Sequence, residues 1–176
     1  GLRAAAPASF LFERSARWEG SATMKTLKVR KSFERFEVEV GDETVECAID
    51  CTDGTVNALA ARCIKARQQA LALDTLKEKT FDRKKLDKLS EDMAAIIGPI
   101  IVEGIGEESY DAILTACGDG VKLKPAQCNL VMVQVFATVC QAIFDRLNDV
   151  KQSKAAHYLQ DVVADAQKPD DEKQDR

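Results

Sequence analysis

The chain has 176 residues, 45% apolar and 31% charged, enough for a buried core and a solvated surface. Its 25 Lys and Arg against 29 Asp and Glu give a net charge of −4, which excludes a basic domain that binds nucleic acid by neutralising phosphates. A membrane span needs about 20 consecutive apolar residues. The longest candidate, Met93 to Ile105, is too short and carries Gly98, Pro99, Glu103 and Gly104, so no span is expected.

Residues 1–23 differ in character from the rest of the chain: Arg3, Arg14 and Arg17 stand among few acids, as in a transit peptide. Trp18-Glu19-Gly20 can also be encoded by the purine run GGGAGG, three codons before Met24, where a bacterial ribosome-binding site belongs. The expectation is a translated leader or vector-derived segment over 1–23, mostly disordered, and a single α+β domain over 24–150. A C-terminal helix and a charged disordered tail are expected over 151–176.

Phe36, Val38 and Val40 alternate with Glu37 and Glu39, and after Gly41-Asp42 the residues Val45, Cys47 and Ile49 alternate with Thr44, Glu46 and Ala48. This predicts a hairpin with a two-residue turn, in which Val40 faces Glu43, Val38 faces Val45 and Phe36 faces Cys47. Leu27 and Val29 are candidates for a third strand. Asp53-Gly54-Thr55 ends the sheet and caps a helix carrying Val56, Leu59, Ala60, Cys63, Ala70, Leu73 and Leu76. Thr80 or Asp82 caps a second helix through Leu86, Leu89, Met93, Ile96 and Ile97, which Pro99 is expected to end or kink near Gly98.

Glu107 and Glu108 suit the first turn of a short helix with Tyr110, Ile113 and Leu114 on one face, stopped at Cys117-Gly118-Asp119-Gly120. Pro125 opens the last long helix, to about Asp149, whose single polar stripe is Gln134, Thr138, Gln141, Asp145 and Asn148. A helix apolar on nearly all other sides is central, or covered by a subunit or client. Tyr158, Leu159, Val162 and Val163 come next, on a weaker amphipathic segment. The fold class is therefore α+β, mainly α: a small N-terminal antiparallel hairpin packed on four to five helices.

No constellation meets the standard of a catalytic site. His157 is the single histidine and lies among polar residues near the end, so His-based triads and mixed Cys/His zinc sites are hard to build. The six cysteines, at 47, 51, 63, 117, 128 and 140, form no CxxC pair and occupy apolar periodic positions. They read as reduced core residues of a cytosolic protein, and a zinc site from Cys47, Cys51 and Cys63 would lack a fourth ligand of suitable spacing. Gly104-Ile105-Gly106 lacks the third glycine of a phosphate loop, and Glu107-Glu108 would repel phosphate. Glu37, Glu39 and Glu46 share a hairpin face that can hold a divalent ion but is more simply solvated. The lysines 84, 85 and 88 are interleaved with acids. No cofactor, metal or catalytic residue is expected.

The order of parts (acidic hairpin, two helices, IVEGIGEESYDAIL, polar turn, long apolar helix) resembles the tail assembly chaperones of long-tailed bacteriophages over Leu27 to Asp149. The residues that carry it are Ile105-Gly106-Glu107-Glu108-Ser109-Tyr110-Asp111-Ala112-Ile113-Leu114, a "hydrophobic, Gly, acidic, acidic, small, Tyr" step before a turn and a last apolar helix. The resemblance implies a non-enzymatic protein of the host bacterial cytoplasm that coats the tape measure protein and helps bring tail tube subunits to it. It implies a homo-oligomer without nucleic-acid or membrane partners. The expected protein-binding surface is the apolar side of the last helix, Met132, Val135, Phe136, Val139 and Ile143, bordered by Tyr110 and Ile113. The alternatives are a structural tail-completion or head–tail connector protein, or a generic helical interaction module.

Overall fold

The computed structural model describes residues 24–152 and Gln160. The leader expected over 1–23 lies outside the described residues, as do His157, the amphipathic positions Tyr158, Leu159, Val162 and Val163, and the charged tail. The chain divides into two compact units, Gly1–Arg30 and Lys31–Arg176. Of the first, residues 24–30 are described and carry no regular secondary structure, so Leu27 and Val29 do not supply a third strand.

The second unit is mostly helical, with one two-stranded antiparallel hairpin and four helices among the described residues. Strands β1 (Phe33–Val40) and β2 (Glu43–Asp50) pair as the alternation predicts: Val40 opposite Glu43, Val38 opposite Val45, Phe36 opposite Cys47. Gly41 takes the left-handed φ of +60° that the two-residue turn requires. One face buries Cys47 and Ile49 and half-buries Phe36, Val38 and Val45; the other exposes Arg35, Glu37, Glu39 and Glu46. Glu37 lies directly opposite Glu46, a like-charge pair that weakens the ribbon, so its hold comes from the buried face.

Helix α1 spans Asp53–Glu78 and begins differently from the expected cap. Thr52 is the N-cap residue, and Asp50, the last residue of β2, does the bonding: it accepts from Thr52 N at 2.9 Å and from Thr55 Oγ1 at 2.8 Å. Sheet end and helix start are thereby one knot. Helix α2 (Arg83–Ile105) is capped by Asp82, which accepts from Lys84 N at 3.0 Å. It continues past Pro99 to Ile105, so Pro99 does not end the helix near Gly98. Pro99 and Ala95, the residue whose carbonyl loses its partner, are both exposed, while Ile97, Ile100, Ile101 and Ile105 are buried. One lost hydrogen bond on the wet side costs less than withdrawing the three isoleucines that follow it, Ile100, Ile101 and Ile105, from the core, each contributing about 1.5–3 kcal/mol when buried.

Gly106 closes α2 through N–H donation to Val102 O at 2.8 Å and opens helix α3 (Glu107–Cys117) at φ +88°. A short 3-10 turn, Pro125–Cys128, leads into helix α4 (Asn129–Gln152), so the valine-rich run is helical as its polar stripe predicts. Asn129 Nδ2 donates to Ser90 O at 3.2 Å and Arg146 pairs with Asp53 at 3.6 Å, which sets α4 alongside α2 in the same direction and antiparallel to α1. Arg62 and Glu103 form an ion pair between α1 and α2. Gly104 lets α2 and α4 touch: a methyl there would lie 2.7 Å from Val139 Cγ1.

Helix α4, from Pro125 to Lys151 with its leading turn, is long and apolar enough to cross a membrane by length and composition, contrary to the expectation that no such segment exists. Its stripe residues Gln134, Thr138 and Gln141 interrupt every apolar run yet bear no charge, so the mean hydropathy stays high. In the fold, 39% of the most apolar window is buried against the other elements.

Candidate protein-binding surface

The resemblance-bearing step Ile105 to Leu114 is, physically, a packing junction. Glu107 and Glu108 occupy the first turn of α3, where the helix dipole favours them. The Ser109 side chain hydrogen-bonds the Cys47 thiol on β2. The Tyr110 hydroxyl lies against Gly98 of α2, where an added methyl would sit 3.2 Å from its oxygen. Burial, with Cys128 and Asp111 nearby, pushes the Tyr110 phenol above its ordinary pKa. Ile113 and Leu114 enter the core. Each of these positions thus has a contact or a helix-end role within the chain, and together they wedge α3 between hairpin and α2.

The residues expected to bind a client are mostly inside. Ile113, Met132, Val135, Phe136, Val139 and Ile143 are all buried, and Tyr110 is half-buried. That face of α4 packs against the chain's own α1 and α2, while Leu130 on the same helix is 75% exposed. In the folded chain it is a core face.

A longer run of uncovered apolar residues lies elsewhere. From Leu71 to Asp92 no residue is buried: the last two turns of α1 and the first turns of α2 extend past the core as a two-helix arm. Leu71 is 62% exposed, Leu76 52% and Phe81, at the tip, 94%. Leu73, Leu86 and Leu89 are half-buried between the two helices. Their helical spacing predicts core positions, but only Leu73 packs against the buried cluster. Basic residues Lys77, Lys79, Arg83, Lys84 and Lys85 surround the tip, against Glu78 and Asp82.

A second feature is an open cleft of about 740 Å³ where the hairpin meets α3, lined by Arg35, Phe36, Glu37, Glu46, Cys47, Ala48 and Ser109. Burial raises the Cys47 pKa more than the Ser109 hydrogen bond lowers it, so the thiol there is neutral. Among the described residues no three or more His, Cys, Asp or Glu side chains are grouped to hold a metal ion. None of the six cysteines forms a disulfide. Cys47, Cys51, Cys63 and Cys140 are buried as their spacing predicts; Cys117 and Cys128 are only partly so. Asp50, which anchors the junction of β2 and α1, carries no sequence pattern that singles it out. Burial raises its pKa, but hydrogen bonds from Thr52 and Thr55 outweigh this and hold its carboxyl below the ordinary value.

No family model, curated protein or solved structure matches the chain.

Proposed function

We propose that the chain is a non-enzymatic assembly chaperone of the kind made by long-tailed bacteriophages. In this reading it binds apolar helical stretches of a tape measure protein in the host cytoplasm, helps recruit tail tube subunits, and works as a homo-oligomer. The observation that carries the binding role is the arm from Leu71 to Asp92, which presents leucine and phenylalanine side chains that nothing in the described chain covers. The order of elements and the Ile105-to-Leu114 step support the phage assignment by resemblance. The client surface in this reading is the arm rather than α4. Its chemistry selects the occupant: an amphipathic helix whose apolar face meets Leu76 and Phe81 and whose acidic flanks meet the basic tip.

The test begins with the DNA downstream of the gene. A long reading frame rich in helical heptads should lie there, and its product should stay soluble when co-expressed with this chain. A Leu76→Asp/Phe81→Asp variant, folded as judged by circular dichroism, should lose that effect. Absence of such a frame refutes the phage assignment. Equal protection by wild type and variant refutes the arm as the docking surface, and recovery of the chain in purified particles transfers it to the structural tail-completion class.

A further inference from the structure

The arm from Leu71 to Asp92 is divided by charge along its length. Its tip carries five cations, Lys77, Lys79, Arg83, Lys84 and Lys85, against Glu78 and Asp82, a net +3. Its base carries four anions, Asp74, Asp87, Glu91 and Asp92, against Lys88, a net −3. All of these side chains except the half-buried Lys77 are exposed, and no ion pair between described residues engages any of them. At a rise of about 1.5 Å per residue, the two clusters lie on the order of 10 Å apart along the arm, about one Debye length at physiological ionic strength. Each cluster therefore acts on what lies beside it rather than neutralising the other. Apolar side chains stand at both levels: Phe81 at the tip is 94% exposed and Leu71 at the base 62%.

We propose that the arm pairs with the arm of a second copy of this chain, side by side and antiparallel, about a twofold axis through the middle of the overlap. That orientation sets each basic tip on the other copy's acidic base, so both charge contacts are attractive. Parallel pairing would set tip on tip and base on base, with like charges at each. The base of a second arm has the two properties that the tip selects, acidic flanks and an exposed leucine, and the antiparallel overlap brings Phe81 level with the partner subunit's Leu71. The same patch serves on both copies, so the contact closes at two and does not propagate. Four helices then lie side by side, as in an antiparallel bundle. The inference rests on the proposed function only in taking the arm as a docking surface; it depends neither on the client nor on the phage assignment. Without a client the pairing shelters the apolar tips, and a client has to displace one arm from the other.

Sedimentation equilibrium on the full chain should give twice the mass of 19.3 kDa, with a dissociation constant that rises about tenfold or more between about 0.05 and 0.5 M NaCl. Two triple variants at exposed positions invert one cluster each. Lys79→Glu/Lys84→Glu/Lys85→Glu makes the whole arm acidic, and Asp74→Lys/Glu91→Lys/Asp92→Lys makes it basic. Each should be monomeric alone, and an equimolar mixture should form the mixed dimer, identified by its mass in native mass spectrometry. A wild type that stays monomeric up to about 100 μM, or whose dimer is indifferent to salt, overturns the proposal. So does a triple variant that still pairs with itself, or a mixture that stays monomeric. The wild-type salt series decides alone if either variant fails to fold by circular dichroism. A monomeric chain that still keeps the client soluble overturns the pairing and not the client reading; a dimer that gives no such protection does the reverse.

Discussion

Replacing Gly104 by alanine tests how closely α2 and α4 approach. In a helix interior the change gains at most about 1 kcal/mol of propensity, and less here because Gly104 is the penultimate residue of α2. Against it, the new methyl would lie 2.7 Å from Val139 Cγ1 and 3.5 Å from Cγ2. Val139 is fully buried and β-branched, so it cannot swing aside without disturbing its neighbours. Overpacking of this kind costs about 1–3 kcal/mol, so Gly104→Ala should lower stability by about 1–2 kcal/mol net. Val139→Ala alone should cost about 2 kcal/mol, from two buried methyl groups and the space they leave. In the double variant the methyl introduced at position 104 enters the space vacated by Cγ1, so the combined loss should fall short of the sum by at least about 1 kcal/mol. Urea unfolding followed by circular dichroism gives all four corners of the cycle. A stabilised Gly104→Ala, or a cycle additive within about 0.5 kcal/mol, would refute the close approach.

Phe136→Asp should cost several kcal/mol by burying an unpaired carboxylate, and should abolish cooperative thermal unfolding; a variant that unfolds like wild type would place that face at the surface instead. Gly118→Ala should destabilise by more than Gly104→Ala, because its methyl meets the Val121 carbonyl rather than a side chain; calorimetry of the two variants ranks them. The lowered carboxyl pKa of Asp50 contributes stability above its ordinary value of 3.8, and that contribution is lost as pH falls through the lower folded value. Asp50→Asn should therefore flatten the acid limb of the stability–pH curve below about pH 4 while leaving its shape near neutrality unchanged, and an unaltered acid limb would exclude the Asp50 contribution.

Much of the architecture is legible in the sequence because it is written in short-range periods. Alternation with period two, pinned by Gly41-Asp42, specifies one register, since a slip by one residue would expose Cys47 and Ile49. The stripe from Gln134 to Asn148 settles helix over strand where propensity favours strand. The features that sequence reasoning misses depend on what lies across from each element. Pro99 obeys its local rule only where the next turn has nothing to gain by continuing, and here Ile100, Ile101 and Ile105 gain the core. Leu73, Leu76, Leu86 and Leu89 carry the same period as Leu59 and Met93; only the position of α4, whose first residue Asn129 meets Ser90, decides that the core stops there. The residues expected to form a client face on α4 pack inward for the converse reason: α1 and α2 lie against that side of the helix, and Met132, Val135, Phe136, Val139 and Ile143 are buried there.

The arm also divides the chain kinetically. With nothing buried between Leu71 and Asp92, its helical turns are held by their own hydrogen bonds and a few leucine contacts, so they can open while α4, the hairpin and the inner halves of α1 and α2 remain closed. Amide protons there exchange through this local opening, well before those of Ile97 or Val139. Among the described helices, the lysine- and arginine-rich tip is correspondingly the stretch a trypsin-like protease can thread. A cut at the tip would leave two fragments still clasped along their buried segments. The part of the molecule most exposed to a partner is therefore the part whose order a partner can change at least cost to the rest.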